Sequence, residues 1–427
     1  MGKSPRIKSI AILNPLGDYG ISTYCYELAE GLAANGVDVD IYTGDGPRLA
    51  AFDFPKHHRI FPVFGSALFK RRRRLNTEDN GARNGTRAPS NPVSQQVESK
   101  PASQRKRSRL FLRFRDFVLA FELAIFLKRK KYDFVWTHWP DIYGTWFWTA
   151  AKAVRLPIVH TVHNVLPHEE SGGAKEMCRE IYRLSDLLFV HSFQARDEFV
   201  QHFPQYASKI AMMRFGVYTI FSKEPGARKE LRARLNIRDD QTVLLFCGAI
   251  RPYKNLDAVL QAIREVWSSD LVAVISGQES GYADLVPDDP LGRTRRLIEE
   301  LGLAEQTRLL PGFLSFQDMA ALCQASDVLL LAYQKHYGSG MLLLGMTLGV
   351  HVLATATGGV EEYLERYPRA TLAASASVED IVAALKAAIR QVRSGASPAG
   401  AEGGSDFSEL QWEHIAKGAL SSVEQSV

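Results

Sequence analysis

One order of elements, strand, glycine-bearing loop, helix, strand, occurs twice in this chain. The first copy has the apolar run Ile7–Leu13, the loop Asn14–Gly20, a helix from Ile21 to Ala34 stopped at Asn35-Gly36, and the alternating strand Val37–Tyr42. The second has Val243–Cys247, the loop Gly248–Asn255, a helix over Leu256–Trp267 and a strand at Leu271–Ser276. A buried strand that feeds a helix and returns to a parallel neighbour is the opening unit of a doubly wound sheet. Two copies in 427 residues predict an α/β protein with two Rossmann-like domains, 1–214 and 215–394, followed by a linker and a final amphipathic helix over 395–427. The first loop lacks the full G-x-G-x-x-G spacing, so no dinucleotide cofactor is indicated.

The second domain is organised around Tyr333–Glu362. Asp327–Leu331 is a short apolar run of parallel-strand type. Gly338-Ser339-Gly340 turns the chain into a helix that Gly349 ends, Val350–Ala354 is the next strand, and Thr357-Gly358-Gly359 opens another turn. A small-residue loop at a helix start directs free N–H groups along the positive end of the helix dipole, which suits a phosphate as well as an ordinary strand-to-helix turn. Arg251 and Lys254 flank a proline turn in the second glycine loop. One planar cation and one flexible one beside a helix start suit a diphosphate; a solvated turn is the plain alternative.

Further strands are expected at Phe134–Thr137, Pro157–Val162, Leu187–Val190, Ile210–Met213 and Arg308–Leu310, with helices over Phe316–Ala325 and Val378–Arg393. The loop after the second of these strands holds His163, His168, Glu169 and Glu170. Ligand sites of open α/β sheets gather at the carboxyl ends of strands, and such a loop has what a general base requires.

Charge separates the core from one segment. Between Lys70 and Arg109 there are twelve Lys/Arg against three Asp/Glu, a charge of +9 within a total of +5, so the remainder is mildly acidic. Nucleic-acid binding by the core is thereby disfavoured. Residues from about 66 to 109 have almost no large apolar side chains and read as a disordered basic insertion. Leu110–Lys131, directly after, is apolar, aromatic and basic at both ends. It fits a core-packed crossover helix, and equally an interfacial helix on an anionic membrane face. Met1–Leu13 has no signal-peptide h-region and no run is long enough to span a bilayer, which places the expected location in the cytoplasm. Cys25, Cys178, Cys247 and Cys323 are scattered, so neither a disulfide frame nor a zinc site is expected. Apart from Asp38-Val-Asp40 within the second strand no DxD-like acidic metal motif is evident, and metal independence is expected.

Taken in order, these segments resemble the GT-B glycosyltransferases, specifically those like family 4, over nearly the whole chain outside the insertion. The loop ending Tyr19-Gly20 is similar to the family's Gly-Gly turn, and Asp133–Pro140 to its fourth-strand segment. Thr161-Val-His163-Asn resembles its strand-end histidine motif, and Gly248–Asn255 its diphosphate loop. Tyr337–Gly349 and Gly358-Gly359-Val-Glu361 are similar to its nucleotide-binding region. The resemblance implies two domains facing across a cleft with the C-terminal helix returning to the first. It implies a hexosyl transfer from a UDP- or GDP-sugar, with no other cofactor. Gly20, Arg251, Lys254, Ser339, Gly340 and Glu361 would bind the donor, Glu361 at the ribose, and His163 would lie near the transferred sugar. Two departures bear on mechanism. Where retaining members carry paired glutamates, this chain has His336 and Leu344, and Ala249 stands where many have arginine. Retaining or inverting chemistry is therefore open; for inversion the candidate bases are His163, His168, Glu169 and Asp18. The basic insertion and Leu110–Lys131 suggest a lipid-linked or oligosaccharide acceptor, exopolysaccharide assembly, and peripheral contact with the inner face of the plasma membrane. The alternatives are a catalytically degenerate binding protein and a sugar-nucleotide epimerase of the same fold.

Overall fold

The computed structural model describes residues 7–15, 20–44, 59–64, 102–138, 145–166, 173–221, 223–277, 289–312, 314–335, 338–365, 367–395 and 407–427. The chain divides into two compact units, Met1–Thr161 with Glu169–Phe189 and Leu420–Val427, and Val162–His168 with Val190–Ala419.

The first unit runs β1 (Ser9–Asn14), α1 (Gly20–Ala34), β2 (Asp38–Gly44), β3 (Arg59–Phe64), α2 (Ala102–Arg129), β4 (Phe134–Thr137), α3 (Trp146–Ala153), β5 (Ile158–Thr161), α4 (Ala174–Leu184) and β6 (Leu187–Val190). These strands lie in the order β3-β2-β1-β4-β5-β6, and the pairs from β3 through β6 are parallel. The strands β4, β5 and β6 are buried throughout, as in a parallel sheet covered on both faces, while β2 keeps an alternating pattern with Asp38 and Asp40.

The second unit runs α5 (Phe193–His202), β7 (Ile210–Met212), α6 (Ala227–Arg234), β8 (Thr242–Cys247), α7 (Leu256–Glu265), β9 (Leu271–Gly277), α8 (Pro290–Glu300), β10 (Thr307–Pro311), α9 (Phe316–Ala325), β11 (Val328–Leu331), α10 (Gly340–Leu348), β12 (His351–Thr355), α11 (Val360–Leu364), β13 (Ala370–Ala373) and α12 (Val378–Arg393). The last helix, α13 (Trp412–Ser426), begins in this unit and ends in the first. Its sheet order is β10-β9-β8-β11-β12-β13, the same permutation as in the first unit. In both, the direction of strand addition reverses beside the first strand, between β1 and β4 and between β8 and β11. At such a switch point the loops leaving the two strands splay apart and leave a crevice at their carboxyl ends.

The edge of the second sheet opposite that crevice is fixed by a buried ion pair. Arg232 is 2% exposed, and its guanidinium donates to Asp327, to the Ala325 carbonyl and to the Gln241 carbonyl. Asp327 also accepts from the Val243 N–H at 2.7 Å, which ties α6 and the entry to β11 to the start of β8. Each charge is taken out of water but fully hydrogen-bonded, the condition under which such a pair is tolerated.

One boundary differs from expectation. The polar insertion does not extend to Arg109, because α2 is already helical from Ala102. Ala, Gln, Arg and Lys propagate a helix cheaply once the apolar part downstream has nucleated it, and Pro101 suits the position just before a first turn. Farther along, α2 buries Ala120, Ala124 and Leu127, one stripe at helical spacing, while Phe114, Ile125 and Phe126 stay exposed. No described helix is long and apolar enough to cross a membrane. The strands β3 and β13 and the helix α8 did not stand out in the sequence, since β3 is interrupted by a proline and β13 is only half buried.

Candidate functional site

The switch point of the second unit gathers the glycine-bearing and cationic loops singled out in the sequence. The strand β8 ends at Cys247, and Gly248 turns the chain with φ +116°, a conformation that favours glycine. Pro252–Lys254 is a single tight turn, and Asn255, in left-handed conformation, starts α7. The side-chain amide of Asn255 donates to the Ala376 carbonyl at 2.8 Å and the Gln334 N–H donates to the Tyr253 carbonyl at 2.7 Å. The loop is thereby anchored to the segment leaving β11.

Lys254 is buried, 8% exposed, and among the described residues it makes no ion pair. Its Nζ lies 5.5 Å from the centroid of the Tyr333 ring, itself buried at 4%. A Cβ added to Gly248 would come within 2.6 Å of that Nζ, so the glycine is what makes room for the cation. Burial and the neighbouring Arg251 lower the Lys254 pKa to about 8, although the Cys247 thiol opposes them. The ammonium is thus held away from water beside a π face and another cation, a costly arrangement that an anion would relieve.

Across the crevice, the chain leaving β11 passes Tyr333, whose carbonyl accepts from the Thr355 hydroxyl, and reaches Gly338-Ser339-Gly340. Ser339 caps α10 by accepting from the Leu342 N–H at 3.3 Å. The N–H groups of Gly340 and Met341 open the first turn and have no acceptor in the helix's own ladder. At Gly340 a Cβ would meet the Tyr218 hydroxyl at 2.6 Å, so the backbone approaches that ring closely. Lys254, Arg251 and the α10 start are thus the donor groups expected from the sequence, two cations and one helix terminus around one switch point.

The second glycine turn has another use. Gly359 has φ +83°, and a Cβ there would meet the Ser192 Cβ at 2.3 Å; its N–H donates to the Gln194 side chain at 2.6 Å. Glu362 accepts from the N–H groups of Phe193 and Gln194 at 3.1 and 3.2 Å. This turn and the start of α11 therefore pack on and cap α5, while Glu361 stays exposed.

His163 stands two residues beyond β5, half-buried, and its Nδ1 lies 3.1 Å from Nε2 of His191, the residue after β6. The sequence reading gave no role to His191 or Tyr333, and named Gly248 only as the start of its loop. No local signal joins two histidines 28 positions apart; only the adjacency of β5 and β6 brings their strand-end loops together. Leu344 is buried on α10 at 2% exposure, in apolar surroundings. Gly20 begins α1 in open space, with nothing within 4 Å of an added Cβ. Asp18, His168, Glu169, Tyr19 and His336, with residues 65–101 of the basic segment, lie outside the described residues. Among the described residues no group of three His, Cys, Asp or Glu is arranged to hold a metal ion.

A cavity of about 460 Å³ opens at the other edge of the sheet, lined among others by Lys223, Arg228, Asp327, His351 and Arg369. Asp327, His351 and Arg369 precede or begin their strands, so the cavity lies at the end away from the crevice. Two of its cations are engaged, Arg228 with Asp327 and Arg369 with the Gly349 carbonyl.

Comparison with known proteins places this geometry. Residues 227–394 match the family described as glycosyl transferases group 1, and residues 19–216 match the glycosyl transferase 4-like domain. The chain belongs to the family-4-like GT-B glycosyltransferases. It is 26% identical over 313 residues to the D-inositol 3-phosphate glycosyltransferase of Mycobacterium ulcerans, covering 69% of this chain and 64% of that protein. It is 27% identical over 246 residues to the enzyme of the same name from Streptomyces avermitilis, covering 54% of this chain and 52% of that one. The chain thus spans between half and two thirds of these relatives. Among solved structures, Anabaena HepE in complex with UDP-glucose superposes with a TM-score of 0.71 at 15% identity, over 98% of this chain and 100% of that one, a likeness of fold.

Proposed function

We infer that the protein is a hexosyltransferase that takes its sugar from a nucleotide diphosphate donor. The observation that carries this reading is Lys254, a buried cation with no ion pair among the described residues, set beside Arg251 and the start of α10. A leaving diphosphate gains negative charge as the glycosidic bond breaks, and fixed cations and N–H groups stabilise it without reorganisation. In this reading Lys254 and Arg251 meet the diphosphate oxygens, Ser339 and Gly340 add N–H groups, Glu361 and Gly20 remain donor contacts, and no metal is required. His163 meets the transferred sugar or the attacking hydroxyl, and Asp18, His168 and Glu169 are the other candidate bases.

The acceptor we propose is a saccharide on a lipid carrier, as in exopolysaccharide assembly, reached by peripheral contact with an anionic membrane from the cytoplasmic side. The exposed Phe114, Ile125 and Phe126 on α2, with exposed Lys128, Arg129 and Lys130 at its end, support this. An inositol phosphate, the acceptor in the relatives' names, is the soluble alternative. Leu344, apolar where the family has a glutamate, favours a second reading in which the protein binds a sugar nucleotide without transferring it.

The test is a panel of radiolabelled UDP- and GDP-sugars, with and without EDTA, offered with a membrane lipid extract or with inositol phosphate. Label in the lipid fraction from one donor supports the whole reading. Label on inositol phosphate removes the lipid acceptor, and tight donor binding with no transfer or hydrolysis gives the binding-protein reading. Ile125→Glu with Phe126→Glu is expected to abolish sedimentation with anionic vesicles; unchanged sedimentation would remove the membrane contact.

A further inference from the structure

His191 is fixed on every side that can be named. It is 1% exposed, its ring lies 5.7 Å from that of Phe215, and a Cβ on Gly338 would rest 3.6 Å from its Cδ2. Its backbone carbonyl accepts from the Tyr363 hydroxyl at 2.8 Å, and that hydroxyl in turn accepts from the Phe215 N–H at 2.9 Å. Its two ring nitrogens have different partners. Nδ1 lies 2.9 Å from the Met213 carbonyl oxygen, and Nε2 lies 3.1 Å from Nδ1 of His163.

These partners determine where the protons are. A carbonyl oxygen has no proton to give, so Nδ1 of His191 carries one and donates it. Burial keeps this imidazole neutral, its pKa lowered to about 4, so it has no second proton and Nε2 is a lone pair. That lone pair can only accept, and the hydrogen bond to His163 forms only if His163 carries its proton on Nδ1. A neutral His163 so held has its own lone pair on Nε2.

We propose that His191 is a positioning residue that holds His163 in the Nδ1–H tautomer, so that Nε2 of His163 is presented as an acceptor for a sugar hydroxyl or as the base for an attacking one. The inference rests on the reading of His163 as a group that meets substrate. When His163 takes a proton on Nε2, its Nδ1–H stays on His191 and the pair is not disrupted, so the same contact serves before and after proton transfer. The device works as an orienting group behind a catalytic imidazole does elsewhere, with a neutral histidine anchored to a backbone carbonyl in place of a carboxylate. It adds no negative charge next to a diphosphate. Gly338 packs over the same ring, so the relay also lies directly under the turn that leads into α10.

The experiment is two-bond ¹H–¹⁵N correlation on the full chain labelled at histidine, with His163 and His191 assigned from single variants, alongside steady-state transfer kinetics. In the wild type, His163 is expected to show a protonated Nδ1 and a bare Nε2. His191→Asn keeps a donor for the Met213 carbonyl but has no atom at the Nε2 position. It is expected to release His163 toward the Nε2–H tautomer and to lower kcat about tenfold or more, with donor KM and Tm near wild type. His191→Gln, whose Oε1 reaches that position, is expected to restore the tautomer and most of kcat. A wild-type His163 protonated on Nε2, or a tautomer unmoved by His191→Asn, would overturn the inference. The expected tautomers with turnover indifferent to both His191→Asn and His163→Asn would instead remove His163 from the site.

Discussion

The two units share one strand permutation and differ in what they place at its switch point. In the first, the crevice side of β4 leads to His138, buried at 2%, stacked on Trp136 and edge-on to Tyr24. The strand β5 beside it carries His160, whose Nδ1 lies 2.8 Å from the Thr137 hydroxyl. Thr137 thus satisfies Nδ1 of His160 within the fold, and His138 packs against aromatic rings. In the second, the loop after β8 holds a buried ammonium with no carboxylate against it among the described residues, and the loop after β11 ends in a helix start. The same backbone plan thus gives an aromatic-packed strand end in one case and a buried ammonium beside a helix start in the other. Topology provides the crevice, and single side chains provide the chemistry.

The sharpest way to break this comparison is to remove the uncompensated charge. Lys254→Met is expected to lower kcat/KM for the donor by about a hundredfold or more while leaving Tm unchanged or raised, since a buried cation is lost. A variant with wild-type turnover would remove Lys254 from the donor site.

Acid should act on both units in a similar way. Burial lowers the pKa of His160 to about 3 and that of His191 to about 4, against 6.5 in the unfolded chain. The unfolded state then binds more protons below pH 6.5, so stability falls as pH drops through that value toward 4. Each histidine is expected to cost up to about 1.4 kcal/mol per pH unit. Urea unfolding at pH 7.5 and pH 5 measures the loss, and His160→Asn should reduce the slope; a pH-independent midpoint would show that these imidazoles are not held neutral.

A smaller perturbation is expected from Gly248→Ala, which presses a methyl group against Lys254 and strains a backbone at φ +116°. It should weaken donor binding about tenfold and cost about 1–3 kcal/mol, measured by calorimetry and thermal unfolding. Raising pH above 8 should increase donor KM several-fold in the wild type, because Lys254 loses its proton near there. Lys254→Arg should lose that alkaline limb, since a guanidinium stays charged. Smallest of all, Gly20→Ala in the first unit has open space around it and should change stability by less than about 0.5 kcal/mol. A rise in donor KM there would show that the ligand, and not the fold, requires the glycine.

Much of this was legible in the chain itself. The apolar runs that became β1, β4, β5, β6, β8, β9, β11 and β12 are continuous because both faces of a parallel sheet are covered, and that continuity survives without any knowledge of partners. Lys254 and Ser339 were legible as cation and helix start because each sits at a fixed offset from its own strand. Arg232 was not, since nothing in ARKELRAR says that one of its arginines turns inward to Asp327, 95 positions away. The extent of α2 was misjudged for a related reason, as composition describes a segment alone and not the helix that it continues.

By itself the sequence determined the two repeated units, their parallel class, and the small, cationic loops at the strand ends, because these depend on residues close in the chain. The tertiary structure decided that Lys254 is buried with no carboxylate against it among the described residues, that the Gly359 turn serves as a cap for α5, and that His163 lies against His191. Burial and hydrogen-bond pairing are properties of neighbours in space, and strand order rather than sequence distance sets which neighbours those are.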